Sequence, residues 1–387
     1  MTQVFWVSQD FADSAVVYAS VLAASRGAGM VLFSLVGGAI ADRSDRKRVL
    51  LATESLSLAA HGGIAVLMLT EPMGGASVAF VAAATFVAAG IQSIDSPARN
   101  AIVPAAAGSE NIGAAIALLS ISSQLTMPLS LPIAGIMNQL VAPGAVYATS
   151  LFAWVAILPL IALLRVGTAP VGARRASTLR SIGQGLSYTR SHRPILAIVS
   201  VVLVVQVIGM PLATPLGPMF EIQVLGFNSA QVGLMGATWG LGALSVSIAI
   251  ARSNQLALRG DSLAVMSSLF GLAALGFGLS RLIPLTAVSD YAMGAAFTGT
   301  GLVANTLIQH LVSDEMRGRV LSFFPLSIGL AQAATDVAGL VGELLGLDVL
   351  LPLLGSLIIV GSLLLTLWYR EFFGRRVEPR VAPVGAV

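Results

Sequence analysis

Six side chains that can hold a charge or a proton sit inside long apolar runs of this sequence: Arg26, Glu54, Asp95, Arg99, Asp290 and Asp336, with Glu343 nearer the end of one. An ionised group at mid-membrane depth costs about 2.5 to 3.5 kcal/mol on insertion scales, so each tends to have a partner or a task. The chemistry on offer is proton carriage, because a carboxyl group taken out of water binds its proton more tightly. Asp336 is a candidate carrier, whereas Asp95 has an arginine close by to keep it ionised. Glu54 and His61, seven residues apart, share a helix face. Asp290 lies near enough to the end of its run to reach water.

Other chemistries are excluded by what the sequence lacks. The only lysine, Lys47, follows Arg46, so no G-K-[ST] phosphate loop is present and ATP has no such site. With no cysteine there is no disulfide, thiol nucleophile or thiolate metal ligand. His61, His192 and His310 are scattered rather than spaced as ligands. We therefore expect no enzyme activity, no metal and no cofactor, and energy drawn from a gradient or from the substrate itself.

The elements that position these residues follow from composition. Hydrophobic residues make up 56% of the 387 and charged residues 10%, and the mean hydropathy is +0.89. A soluble domain carries about 25% charge. About 20 apolar residues cross a bilayer once. Runs long enough cover Ser14 to Ala41, Val49 to Leu69, Val78 to Val103, Ile112 to Val141, Ala145 to Leu164, Ile195 to Phe220, Ala230 to Ala251, Leu263 to Ser280, Leu285 to Val312, Val320 to Leu345 and Val349 to Tyr369, which predicts eleven spans.

Basic residues orient the spans, since arginine and lysine of short loops stay in the cytoplasm. Nineteen of the 21 fall in clusters separated by an even number of spans, leaving Arg281 on the other side and Arg26 within a span. The C-terminus is then cytoplasmic, and the net charge of +3 expresses topology rather than nucleic-acid binding. Met1 to Ser8 form an apolar stub too short to cross, with neither the basic leader nor the cleavage site of a signal peptide. The expectation is a first helix whose beginning is missing through a misplaced start or a truncation, a native eleven-helix chain being the alternative. Residues 166–194 are the longest polar stretch and read as a cytoplasmic linker. It separates bundles at 1–165 and 195–369, with a tail at 370–387. A faint repeat between Ile102 to Ala117 and Leu311 to Phe324 suits the parallel repeats of a transporter.

The turn from Gly38 to Lys47 matches G-x-x-x-D-R-x-x-R-[KR], with Gly38, Asp42, Arg43, Arg46 and Lys47 in place. Together with SIDSPARNAIVP (Ser93 to Pro104), QGLSYTRSHRPIL (Gln184 to Leu196) and VSDEMRGRVLS (Val312 to Ser322), it resembles the major facilitator superfamily, in the branch of enterobactin-type siderophore exporters and macrolide or multidrug efflux proteins. The resemblance implies an all-α membrane protein of two pseudo-symmetric six-helix bundles, here with a stub and eleven full spans. It also implies a cytoplasmic latch of Gly38, Asp42, Arg43, Arg46, Asp95 and Arg99. Asp42 would face the start of the eleventh helix near Arg319, and Arg46 would pair with Asp95. The alternative for these basic residues is a topology role facing water and anionic lipid. Thr126 to Gly135 stands where the family's G-P-x-x-G-G antiporter motif falls, but Met127, Leu131 and Pro132 replace glycines.

Two further expectations use the resembled fold. Arg26 lies 16 residues before Asp42 and Asp336 lies 17 after Arg319, so both sit roughly 24 to 26 Å from the cytoplasmic ends of their helices. The second and eleventh helices are neighbours in that fold, so Arg26 and Asp336 are expected to meet as an outer gate, unless each reaches the outer surface separately. Gln124, Gln206, Asn305, Gln309 and Gln332 fall on cavity-lining helices and suit an amphipathic substrate, although glutamine also serves as interhelical glue. The third helix is peripheral in that fold, which implies a structural role for Glu54 and His61. Met210 to Pro218, with three prolines, predicts a kinked seventh span.

The reading at this stage is a monomeric secondary transporter in the lipid bilayer of a bacterial cytoplasmic membrane. It exports an amphipathic small molecule of drug, macrolide or siderophore type, coupled to protons, and binds no nucleic acid. The alternatives are a lysophospholipid or lipid translocator, an uptake permease, or a non-transporting sensor or inactive facilitator.

Overall fold

The computed structural model describes residues 2–43, 45–70, 75–107, 112–164, 178–321 and 323–374, and they are helical with short joints. Helix is what lipid demands, because only a helix or a closed barrel satisfies every backbone polar group without water. Helices run in the order α1 (Thr2–Asp10), α2 (Ala15–Arg43), α3 (Arg46–Leu69), α4 (Gly75–Ala107), α5 (Ile112–Leu140), α6 (Pro143–Thr149) and α7 (Leu151–Leu163). Then come α8 (Thr178–Ser191), α9 (Arg193–Pro211), α10 (Gly217–Gln223), α11 (Ser229–Arg252), α12 (Asn254–Ala257) and α13 (Gly260–Leu279). The last are α14 (Ile283–Leu311), α15 (Asp314–Leu321), α16 (Phe323–Leu345), α17 (Leu347–Trp368) and α18 (Arg370–Phe373).

Among the described residues, nine helical segments are long and apolar enough to cross a membrane. The two other expected spans are α5 and α14, each of 29 residues and so about 43 Å long. Large apolar side chains cover the outside, with Leu344 84% and Trp368 79% exposed, as suits a chain whose solvent is hydrocarbon. The expected kink is present. Between α9 and α10, Thr214 leaves the helical region at φ −160° and ψ 127°, beside prolines that cannot donate backbone hydrogen bonds.

Two compact units result. The first takes Met1–Arg175, Ala213–Ala237 and Gln332–Leu347; the second takes Ala176–Leu212, Thr238–Ala331 and Asp348–Val387. The division differs from the expected bundles at 1–165 and 195–369 because it runs through three long helical segments. Within the first unit α10 packs on α1, and residues 332 and 339 of α16 meet Gly27 and Ser20 of α2.

In the first unit α2 lies along α4, and α3 packs against α4 on one side and α6 and α7 on the other. Small residues set these distances. A β-carbon at Gly135 of α5 would come within 2.9 Å of the Gly233 α-carbon on α11, and one at Gly233 within 3.0 Å of the Gly135 α-carbon. In the second unit, Ile198, Val202, Leu263, Val303, Leu307 and Val320 form the core of α9, α13, α14 and α15, and α8 rests on α15 with Gly185 against the Arg319 backbone.

The chain's one lysine ties two helix ends in the first unit. Lys47 Nζ donates to the carbonyls of Ala162 at 2.6 Å and Leu164 at 2.8 Å. It thereby satisfies acceptors left open at the end of α7 and puts a positive charge at that helix's negative pole. The Asp45 carboxylate caps α3 by accepting from the Arg48 N–H at 3.0 Å. Replacing Lys47 with methionine removes a charged donor from two carbonyls, a loss of about 1.5 to 3 kcal/mol per such bond at most. The melting temperature of the purified protein is expected to fall for Lys47→Met and to stay within error for Arg48→Met.

Candidate functional site

The first unit holds a half-open cavity of about 400 Å³. Its walls come from two polar stripes. On α4, Thr85, Gln92, Asp95 and Arg99 recur at helical spacing, with Ala88 and Ala89 between them; on α3 the stripe is Glu54, Ser57, His61 and Ile64. Helical repeat puts each set on one face. Gln3 of α1, Arg26 of α2, Tyr147 of α6 and Trp154 of α7 complete the lining.

A charged cluster occupies the α3–α4 side. Arg99 Nε donates to Asp95 Oδ2 at 3.0 Å, its Nη2 contacts the same oxygen, and Nη2 also donates to Glu54 Oε1 at 3.2 Å. The two carboxylate side chains are only 4% and 7% exposed, the guanidinium 51%. The Thr53 hydroxyl donates to the other Asp95 oxygen at 3.0 Å, and Glu54 accepts from the Trp154 side chain. Two buried carboxylates thus share one cation. The Arg99–Asp95 bond lies within α4, whereas the Arg99–Glu54 bond crosses from α4 to α3.

Aromatic rings adjoin the cluster. The His61 ring stacks on Trp154 at 4.1 Å and lies near parallel to Tyr147 at 6.2 Å. Its Nδ1 is 2.8 Å from the Ser57 carbonyl; a carbonyl only accepts, so that nitrogen carries the hydrogen. Gln3 Nε2 donates to the Thr85 hydroxyl at 3.1 Å. Among the described residues no cluster of three or more metal-ligating side chains occurs.

These helices and cavity define a multi-pass, all-α membrane protein of transporter fold. Among solved structures it is similar to a POT peptide transporter in complex with sulfate (13% identity, 97% of this chain and 91% of that one, TM-score 0.70). It is also similar to a D-xylose–proton symporter (12%, 94% and 90%, 0.69) and to a bacterial homologue of the iron transporter ferroportin in an inward-facing state (15%, 97% and 95%, 0.67). At such identities the likeness establishes the fold, that of the major facilitator superfamily. No curated protein matches the chain in sequence. Residues 2–372 match the transmembrane secretion effector family, and the chain belongs to that family.

The expected site residues fare differently. Asp95 and Arg99 join the cluster. Gly38, Asp42 and Arg43 lie in α2 and Arg46 in α3, but their side chains, and so the latch, lie outside the described residues, as does the Gln124 side chain. Arg26 and Asp336 do not meet in an ion pair: Arg26 opens into the cavity, and no salt bridge joins the two. The reason is rotation. Gly27 is the residue of α2 that faces Gln332 of α16, and its neighbour Arg26 points about 100° away around the helix. Asp336 keeps a buried carboxyl oxygen without a hydrogen-bond partner.

Gln332 is 6% exposed, packs on Gly27 and is not part of this cavity's lining. Gln309 donates to Asn305 one turn earlier in α14, and Gln206 of α9 has a buried oxygen without a partner; all three belong to the second unit. Asp290 does not reach water. It is 7% exposed and accepts from the Thr238 hydroxyl at 3.1 Å, joining α14 to α11. Sequence reasoning placed Glu54 and His61 on one face but assigned them a peripheral role. Trp154 and Tyr147, on an almost uniformly apolar span, gave no signal at all.

Removing Arg99 strands two buried carboxylates, which costs about 3 to 5 kcal/mol for a broken buried pair. Arg99→Ala is expected to lower the melting temperature and the yield of folded protein. Arg99→Ala combined with Glu54→Gln and Asp95→Asn should recover most of the loss, because no stranded charge is left.

Proposed function

We propose that this chain is a proton-coupled secondary transporter that exports an amphipathic small molecule, of drug, macrolide or siderophore type, by alternating access. It works as a monomer in a bacterial cytoplasmic membrane, with its C-terminus in the cytoplasm. The observation that carries the reading is the cavity, where a shared-cation carboxylate cluster adjoins aromatic rings. A few fixed polar groups amid apolar surface suit an amphipathic ligand. The outward direction is supported by the description of the family as secretion effectors.

Coupling needs a group whose protonation alters a contact between elements. Glu54 is that group, because a proton on it breaks the ion pair that joins α3 to α4, whereas the ion pair of Asp95 with Arg99 lies within α4 and Asp95 meets α3 through the neutral Thr53 hydroxyl. Asp336, the sequence candidate, does not line the cavity and takes second place. Energy then comes from inward proton flow against outward substrate movement.

The test is proton movement in liposomes holding the purified protein and a pH-sensitive dye, challenged with a panel of amphipathic compounds. At least one compound should move protons. Glu54→Gln should reduce that flux tenfold or more, and Asp336→Asn should reduce it far less. Absence of flux across the panel would overturn coupled export. Equal losses in the two variants would overturn the assignment to Glu54.

A further inference from the structure

Among the described residues, Arg26 is the cavity cation without an ion-pair partner. It stands in the middle of an apolar helix, where a charge costs about 2.5 to 3.5 kcal/mol to insert. Yet among the described residues it makes no ion pair. Arg99, the other cavity guanidinium, is taken up by Asp95 and Glu54 together. The cavity therefore has two poles: a cluster with one carboxylate in excess and a single guanidinium. Counted from the turn that joins α2 and α3, Arg26 lies about 24 Å along its helix and Glu54 about 12 Å along the next. The poles are thus offset by roughly 12 Å along the helix axes.

Around Arg26 are groups that suit the rest of an organic molecule. Arg26 lines the cavity together with His61 and Tyr147, two of the aromatic rings, and the third, Trp154, stacks on His61. A planar guanidinium recognises a carboxylate in bidentate fashion, and flat rings take the face of an apolar or aromatic body. A cationic drug would find the opposite of what it needs at this pole, since like charges at close range repel.

We propose that Arg26 is the anchor for an anionic head group, so that the substrate class is an amphipathic organic acid held with its ring system against His61, Tyr147 and Trp154. This rests on the reading of the cavity as the substrate site. It narrows that reading from amphipathic molecules in general to those with a carboxylate.

Equilibrium binding tests the assignment without any gradient, so a failure of coupling does not bear on it. The full chain is placed in nanodiscs of zwitterionic lipid, and tryptophan fluorescence is followed on addition of 1-naphthylacetate, its methyl ester or 1-naphthylmethylamine. The acid should quench saturably, with most of the signal lost in Trp154→Phe, and should bind at least tenfold tighter than the ester or the amine. Arg26→Gln should weaken the acid tenfold or more and the ester little, and Arg26→Lys should fall between. The comparison of acid with ester on the unaltered chain stands even if an Arg26 variant does not fold. Ester or amine binding as tightly as the acid, or a folded Arg26→Gln that binds the acid unchanged, would overturn the proposal while leaving the cavity as a substrate site. If none of the three probes binds, both this proposal and the cavity's role as the substrate site are overturned. Saturable acid binding that depends on Arg26, with no proton flux from any compound, would overturn coupling and support the organic-acid assignment.

Discussion

A charge inside a bilayer calls for a partner, and in the first unit one guanidinium serves two carboxylates. Arg99 reaches Asp95 on its own helix and Glu54 on the neighbouring one, and the side chains it neutralises are almost wholly withdrawn from solvent. Such a cluster tolerates little rotation of α3 against α4, because Glu54 loses its counter-charge within a few ångströms of movement. Fixing Asp95 and Arg99 toward α3 fixes the rest of the α4 stripe, so Gln92 and Thr85 must face the same way. Fixing Glu54 likewise turns Ser57 and His61 inward. The polar lining of the cavity is thus a consequence of one ionic constraint propagated along two helices by their 3.6-residue repeat.

Several other contacts in that unit rest on shape. Helices in lipid gain no hydrophobic energy by associating, since the surrounding chains are as apolar as they are, and small residues that allow close approach take over. Gly135 and Gly233 meet back to back, and Gly27 and Gly339 receive Gln332 and Ser20. These contacts hold no charge and ask for no fixed hydrogen bond. They separate at lower cost than the ionic cluster, so the unit combines one rigid crossing, α3 on α4, with smoother ones along α2 and α5.

Much of the fold was legible because its signals are one-dimensional. Apolar length gives the spans, prolines at Met210 to Pro218 give the break at Thr214, and four motifs in order give the superfamily. The site was less legible because it depends on angle and on distant partners. Arg26 and Asp336 were matched by depth, which the rise per residue supplies, but rotation about α2 turns Arg26 away from Gln332's helix and into the cavity. Glu54 and His61 were read correctly as sharing a face. What the spacing could not supply was the identity of the element opposite, and Trp154 and Tyr147 come from a span with no polar pattern to mark its inner side. Asp290 failed for a related reason: distance from a helix end measures access to water only when no neighbouring helix, here α11 with Thr238, covers the position.

The placement of the two bonds of Arg99 bears on how a proton could do mechanical work in the proposed cycle. A proton on Asp95 would weaken its ion pair with Arg99 inside α4 and leave the Thr53 hydroxyl of α3 still able to donate to it. A proton on Glu54 instead weakens a contact between two helices, at the crossing that holds both polar stripes in register. Half of the Arg99 side chain is already exposed, so its guanidinium can turn toward solvent or toward Asp95 without a second desolvation. In the proposed cycle, neutralising Glu54 would loosen the ion pair between α3 and α4 and so alter the cavity that both helices line. Proton binding and substrate binding would then act on each other through the positions of α3 and α4, with no need for the two ligands to touch.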